Sequence, residues 1–228
     1  MKKSSLVWDL PLRVFHWLFA LTIFSSWFTI EQGYIENHML LGYFALSLVI
    51  FRILWGFFGS KHSQFSSFFP TPKKLINYII AIRKGNSPYV AGHNPLGSLM
   101  VFVMILLICF QAVSGLFIDD GIFSAGPYHD VFGENFESVM KFIHHKFFDL
   151  MIIAIVFHIS AIAFYWKVKK QNLVVPMITG KKPAEEIKEE DEIPHSKIVL
   201  AIVLAIMVAV FVYWLVVINA PVIEEFYY

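Results

Sequence analysis

His144-His145-Lys146-Phe147-Phe148-Asp149-Leu150-Met151-Ile152-Ile153-Ala154-Ile155-Val156-Phe157-His158-Ile159-Ser160-Ala161-Ile162-Ala163-Phe164-Tyr165-Trp166 is the stretch on which the fold turns. Residues 147–166 form an apolar run long enough for a helix to cross a hydrocarbon core about 30 Å thick. Yet His158 stands inside that run, far from either charged flank. An imidazole at such depth is costly and needs a reason to be there. At about 100° per residue, the fourteen positions from His144 to His158 fall about 40° short of four full turns. The two histidines therefore share one helix face, about 21 Å apart along the axis. His145 points about 140° away from His158 and is the poorer match.

Four further apolar runs cover residues 14–30, 39–58, 96–118 and 198–218. The composition agrees: 57% of residues are hydrophobic and only 15% charged, against roughly 25% charged in a soluble domain. Barrel strands would be about ten residues long with alternating polarity. These runs are longer and uniformly apolar. The expected fold class is an all-α membrane protein, a four-helix transmembrane bundle with a fifth, C-terminal transmembrane helix.

Several function classes drop out. Eighteen basic and 17 acidic residues leave a net charge of +1, so no electrostatic footprint for nucleic acid exists. A single cysteine, Cys109, excludes an internal disulfide, a cysteine-built zinc or iron–sulfur site and a covalent CxxCH haem. Cys109 reads as a packing residue. No Gly-rich phosphate loop or nucleophile elbow is present. Met1-Lys2-Lys3-Ser4-Ser5 resembles the basic start of a signal peptide, but no small-x-small cleavage site precedes Glu31. The first apolar run is expected to be retained.

The loops alternate in charge. With the N-terminus inside, every basic residue except Lys141 and Lys146 falls on the inner side. The outer side collects Glu31, Glu36, Asp119, Asp120, Asp130, Glu134 and Glu137. The positive-inside rule then predicts a cytoplasmic N-terminus and a C-terminal tail, Glu224-Glu225-Phe226-Tyr227-Tyr228, on the outer side. Within the inner 59–95 connection, Leu75-Ile76-Asn77-Tyr78-Ile79-Ile80-Ala81-Ile82 reads as an amphipathic helix at the membrane surface. The chain divides into a membrane domain (6–182), an acidic cytoplasmic linker (183–196) and the fifth helix with its tail (197–228). The acidic outer loop, 119–142, is the expected docking surface.

His16 opens the first apolar run on the inner side, and His38 opens the second on the outer side. Matching depths pair His38 with His144, and His16 with His158. Depth agreement for the latter requires the first helix to start before Val14 or the fourth to extend through its lysines. Two stacked imidazole pairs in a dry apolar bundle are what two non-covalent bis-histidine haems require. Gly42, one turn after His38, leaves room for a flat macrocycle. Arg52 shares His38's face near the inner side, and Arg13 lies one turn before His16. Both are placed to meet haem propionates. Gly42 and Arg52 taken singly also read as a packing glycine and a snorkelling arginine. His62, His129 and His195 lie in loops without assignment. Asp149 is off the ligand face and reads as a helix–helix hydrogen-bonding group or a proton relay.

With these residues in view, the chain resembles the bacterial cytochrome b561 / nickel-hydrogenase cytochrome b subunits. The likeness spans about residues 6–182. It rests on Val7-Trp8-Asp9-Leu10-Pro11-Leu12-Arg13-Val14-Phe15-His16-Trp17, His38-Met39-Leu40-Leu41-Gly42-Tyr43, Phe51-Arg52-Ile53-Leu54-Trp55-Gly56 and Gly92-His93-Asn94-Pro95-Leu96-Gly97. The fourth-helix histidines match too, as does Asn172-Leu173-Val174-Val175-Pro176-Met177-Ile178-Thr179-Gly180. The resemblance implies four core helices holding two haem b groups, ligated by His16 with His158 and by His38 with His144. It also implies a quinone-linked electron carrier of the bacterial inner membrane. Such carriers exchange electrons between membrane quinone and a periplasmic redox protein, whether hydrogenase, dehydrogenase or cytochrome c. A quinone site is expected near the inner haem, with His93, Asn94 and Gly97 as candidates. His-Asn-Pro is equally a good helix-start cap. Two competing readings use the same residues: a histidine relay for proton or ion transport, and a non-catalytic membrane anchor for a partner enzyme.

Overall fold

The computed structural model describes residues 4–86, 88–121 and 124–221. Asp9 sets where the first helix begins. Its Oδ1 accepts from the Leu12 N–H at 2.7 Å, and Pro11 occupies the first turn, where no N–H is needed. Helix α1 therefore runs Leu10–Glu31, starting before Val14. The end of the bundle at which α1 begins is termed proximal, and the opposite end distal. A short turn leads into α2, Ile35–Phe58. Two short helices follow, α3 (Phe65–Phe68) and α4 (Pro72–Arg83). Next come α5 (Pro95–Ser114), α6 (Glu134–Lys167), α7 (Val174–Thr179) and α8 (Ile198–Tyr213), the last prolonged by a π-helical turn, Trp214–Ile218.

Five of these segments are long and apolar enough to cross a membrane: α1, α2, α5, α6 and α8 with its final turn. The chain is a multi-pass, all-α membrane protein. Helix α1 packs along α2, α5 along α6, and α2 touches both α5 and α8. The result is a four-helix bundle with α8 laid against α2. Lipid gives no hydrophobic drive for helices to associate, so close packing must do so. Small residues accordingly sit at the contacts, with Ser98, Ala112, Ser114, Ala154 and Ala201 all buried. Around them pack Phe19, Leu48, Val49, Leu107, Ile108 and Met151 at mid-depth. Large apolar side chains such as Leu21, Phe24, Phe157, Val199 and Ile206 face outward, as a lipid environment allows. Cys109 is free and packs against the mid-depth cluster.

Two boundaries depart from hydropathy. Helix α6 starts at Glu134, well before residue 147, because residues 134–146 are polar yet helix-competent, with Glu134 and Glu137 in the dipole-favoured first turn. Helix α5 stops at Ser114 rather than Ile118, where the chain turns back on itself through Tyr128 N→Leu116 O and Gly126 N→Ile118 O, both 2.8 Å. At the same end the Tyr128 hydroxyl donates to Leu215 O at 2.8 Å, inside the π-turn. This ties α8 to the distal loop.

The proximal end is closed by the chain's own flanks. Strand β1 (Ser4–Leu6) pairs antiparallel with β2 (Lys181–Pro183), with Ser5 opposite Lys182. Gly180 precedes β2 in the left-handed region, φ 81°, and its carbonyl receives the N–H groups of Val7 at 2.9 Å and Trp8 at 3.0 Å. The acidic segment 183–196, expected as a linker, packs against the bundle. Ile187 and Ile193 are buried, and Ile193 N donates to Leu6 O at 3.0 Å. Its charges mask an apolar residue every few positions, and those residues dock on the bundle. The tail beginning at Val222 lies outside the described residues.

Candidate functional site

The helices carry their histidines to two places. The rings of His16 on α1 and His158 on α6 face each other at the proximal end, centroids 6.3 Å apart and planes tilted by 50°. The rings of His38 on α2 and His144 on α6 do the same at the distal end, 6.1 Å apart with planes at 80°. Both pairings follow the depths read from the sequence, and the early start of α1 removes the mismatch for His16. His145 is exposed and turned away. All four facing histidines are half-buried. Among the described residues no three His, Cys, Asp or Glu side chains gather as a metal site of their own.

A metal ion held between two facing imidazoles would need the ring centroids to stand about 6 Å apart. Both pairs have that separation. The surrounding polar atoms fit a haem as well. Arg52 is only 2% exposed, and donates one guanidinium nitrogen to Ser63 O at 3.2 Å. Its other terminal nitrogen, together with Arg13 Nε, is buried with no hydrogen-bond partner among the described residues. Unpaired buried guanidinium N–H groups are costly unless an anion meets them. Arg13 also donates to the Ile178 carbonyl, which anchors α7 to α1. A Cβ built on Gly42 would touch nothing within 4 Å, so the face beside His38 is open to a planar group.

Sequence reasoning missed the residues that hold the distal imidazoles. His38 Nδ1 lies 2.8 Å from Ser26 O. His144 Nδ1 lies 3.1 Å from Gln111 O and 3.1 Å from Ser114 Oγ. A carbonyl only accepts, so Nδ1 carries the proton and Nε2 is left to face the partner ring. Gly115 belongs here too, because a Cβ on it would approach His144 Cε1 to 3.2 Å. Backbone acceptors leave no sequence signal, whereas Gly115 could have been flagged as a small residue at a helix end.

At the proximal end, Asn94 caps α5. Its Oδ1 accepts from Gly97 N at 2.8 Å, and its amide donates to the Tyr165 hydroxyl at 3.0 Å. Tyr165 in turn meets Tyr78 of α4 at 2.9 Å. Asn94 and Gly97 are thus committed to the helix start. His93 is different: its ring packs on Trp8 and Phe68, and Nδ1 is buried without a partner among the described residues. Burial pushes the His93 imidazole down to about 3, reinforced by the positive charge of Arg52. It is neutral at physiological pH. Beside it a cavity of about 230 Å³ is lined by Lys61, His62, Phe68, Tyr89, His93 and Asp191. His62 Nε2 donates to Asp191 O at 2.6 Å. His129 stays local, 2.9 Å from Gly126 O, and His195 is exposed. Asp149 is exposed and pairs with Lys146 at 3.4 Å.

Residues 7–180 match the family described as prokaryotic cytochrome b561. Three curated relatives, each named a probable Ni/Fe-hydrogenase B-type cytochrome subunit, are similar along most of their length. The protein from Azotobacter chroococcum mcd 1 is 23% identical, covering 76% of this chain and 86% of the relative. That from Bradyrhizobium diazoefficiens is 24% identical, covering 77% and 85%. That from Rhodobacter capsulatus is 24% identical, covering 83% and 85%. No solved structure matches.

Proposed function

The chain belongs to the prokaryotic cytochrome b561 family, a haem b electron-transfer protein of the membrane, and from that premise we propose that it holds two non-covalent haem b groups. One lies between His16 and His158, the other between His38 and His144. The observation that carries this reading is the equal spacing of the two imidazole pairs, 6.3 and 6.1 Å. When bound, the haems supply reversible one-electron chemistry within a bundle that excludes water. Arg52 and Arg13 offer their free donors to the proximal propionates. Gly42 gives the distal macrocycle room beside His38.

The proximal end is the cytoplasmic one in this proposal, since the basic residues gather there. The protein would then lie in the bacterial inner membrane with its C-terminus in the periplasm. Electrons pass between membrane quinone and a periplasmic redox protein docked on the acidic distal loop. The names of the relatives favour a hydrogenase-like enzyme as that partner; a dehydrogenase or cytochrome c satisfies the same chemistry. For quinone, His93 is the group we assign, because its neutral ring, packed on Phe68, has a nitrogen without a partner among the described residues. Asn94 and Gly97 fix the start of α5 next to it.

A dithionite-minus-oxidised spectrum of the purified protein tests the proposal. A b-type α-band with two haems per chain is expected, and one haem lost in each of His38→Ala and His158→Ala. Absence of the band, or full haem retention in both variants, overturns it. Proton or ion flux through haem-free protein would favour a histidine relay instead.

A further inference from the structure

Helix α4 carries an apolar face on each of two sides. Leu75, Tyr78 and Ile82, spaced i, i+3 and i+7, are its less exposed apolar residues, and α4 contacts α5. Tyr78 is only 8% exposed, and its hydroxyl meets that of Tyr165 on α6 at 2.9 Å. Ile76, Ile79 and Ile80 lie around the opposite side and stay open, Ile76 by 56%. Phe69, just before the helix, is exposed as well. Isoleucines gathered in one exposed patch mark a surface that something else covers.

The level at which α4 lies identifies the cover. Through Tyr78 it is tied to Tyr165 at the proximal end of α6, and the Phe69 ring packs on Phe102 of α5 at 5.5 Å. Tyr165 and Trp166 close the apolar run of α6, the place of an interfacial aromatic belt. A helix at that level has acyl chains and headgroups for neighbours. Its charges then select among headgroups. Lys73 and Lys74 stand on the first turn, and Arg83 and Lys84 close the helix, about 15 Å further along the axis. None of the four forms an ion pair among the described residues, whereas Lys61 is matched by Asp191 at 2.8 Å. No carboxylate occurs in the sequence between Glu36 and Asp119.

We propose that α4 is a binding site for anionic phospholipid, with Ile76, Ile79 and Ile80 among the acyl chains and Lys73, Lys74, Arg83 and Lys84 on the phosphodiester headgroups. Each cation beside an anionic surface strengthens attachment roughly fivefold. A zwitterionic headgroup carries no net charge and forgoes that gain. The site also leads inward. Tyr165, which meets Tyr78, receives the Asn94 amide, and Asn94 caps α5. Lipid held by α4 therefore steadies the start of α5. The site needs no haem and stands or falls apart from the two-haem reading.

Hydrogen exchange of the purified holoprotein tests the inference, in nanodiscs of phosphatidylcholine alone and of phosphatidylcholine mixed with phosphatidylglycerol. Residues 72–83 are expected to exchange about fivefold or more slowly in the mixed bilayer, while residues 134–146 are unchanged. This comparison needs no variant. Lys73→Gln, Lys74→Gln, Arg83→Gln and Lys84→Gln combined should abolish the difference. Lys167→Gln, Lys169→Gln and Lys170→Gln combined, at the end of α6, should keep it. Equal exchange of the wild type in the two bilayers overturns the proposal. So does a difference that survives the α4 variant or disappears in the α6 variant. Inorganic phosphate that slows exchange as strongly in phosphatidylcholine alone would assign the cations to a free anion instead. Slowing that follows protein concentration in lipid-free micelles would make a second copy of the chain the cover, and either result also overturns the lipid site.

Discussion

The carboxylate of Asp9 and the indole of Trp55 meet at 3.1 Å, both fully buried, although 46 residues separate them. Asp9 also caps α1 through Leu12 N and accepts from the hydroxyls of Ser60 and Ser63. One side chain thus joins the start of α1 to the end of α2 and the turn after it. Asp9→Ala would strand four buried donors at once and is expected to cost about 3–5 kcal/mol. Thermal unfolding in detergent should show a large fall in midpoint, with Asp9→Asn intermediate because it keeps one oxygen. A wild-type midpoint in Asp9→Ala would contradict this account.

Glycine substitutions separate space reserved for a ligand from space already filled. A Cβ on Gly56 would lie 2.1 Å from the Phe65 ring, so Gly56→Leu is expected to abolish folding and membrane accumulation. A Cβ on Gly42 meets nothing. Gly42→Leu should insert at wild-type levels yet lose the distal haem, halving the pyridine haemochrome signal per chain. Full haem content in Gly42→Leu would remove Gly42 from the site.

Tyr165 links three elements. Its hydroxyl meets Tyr78 of α4 at 2.9 Å and receives the Asn94 amide at 3.0 Å. Burial raises the Tyr78 phenol, helped by the hydrogen bond it shares with Tyr165, so it stays neutral at physiological pH. Tyr165→Phe leaves two polar groups unsatisfied and should cost about 1–3 kcal/mol. The loss should appear locally, as faster hydrogen exchange over residues 72–83 with little change at α2. Uniform destabilisation would show that α4 is held by its apolar face instead.

The membrane histidines were legible because helical periodicity is a property of one segment. His144 and His158 declare a shared face by spacing alone, and charge patterning gave the depths that matched them to His38 and His16. The contacts that hold the rings in place were not legible. Ser26 O and Gln111 O are backbone groups, identical in every residue, and only the packing of α1 on α2 and α5 on α6 brings them to an imidazole. Asp9 stands within the motif of residues 7–17, but its reach to Trp55 and Ser63 is tertiary. The 183–196 segment misled for a different reason. Six acidic residues overwhelm any average, yet Ile187 and Ile193 decide its position.

That docked segment should respond to acid. His62 is buried against it, Nε2 donating to Asp191 O, while Lys61 Nζ and Tyr89 OH hold the Asp191 carboxylate at 2.8 and 2.9 Å. Burial lowers the His62 imidazole from its ordinary 6.5, with Lys61 and Lys182 adding to the effect against Asp191. The hydrogen bond from Lys61 holds Asp191 below its ordinary 3.8. A group with a depressed value in the docked state contributes stability above its free value and loses it as pH falls. For His62 that loss begins as pH drops through about 6.5, because the undocked imidazole takes up a proton that the docked one refuses. Asp191 keeps its contribution until the pH enters the carboxylate range, so the two steps are separable. Protection factors for hydrogen exchange over residues 184–193 should fall between about pH 7.5 and 5, and His62→Gln, which retains a donor without titrating, should flatten that response. Protection independent of pH in the wild type would show that Ile187 and Ile193 alone hold the segment down.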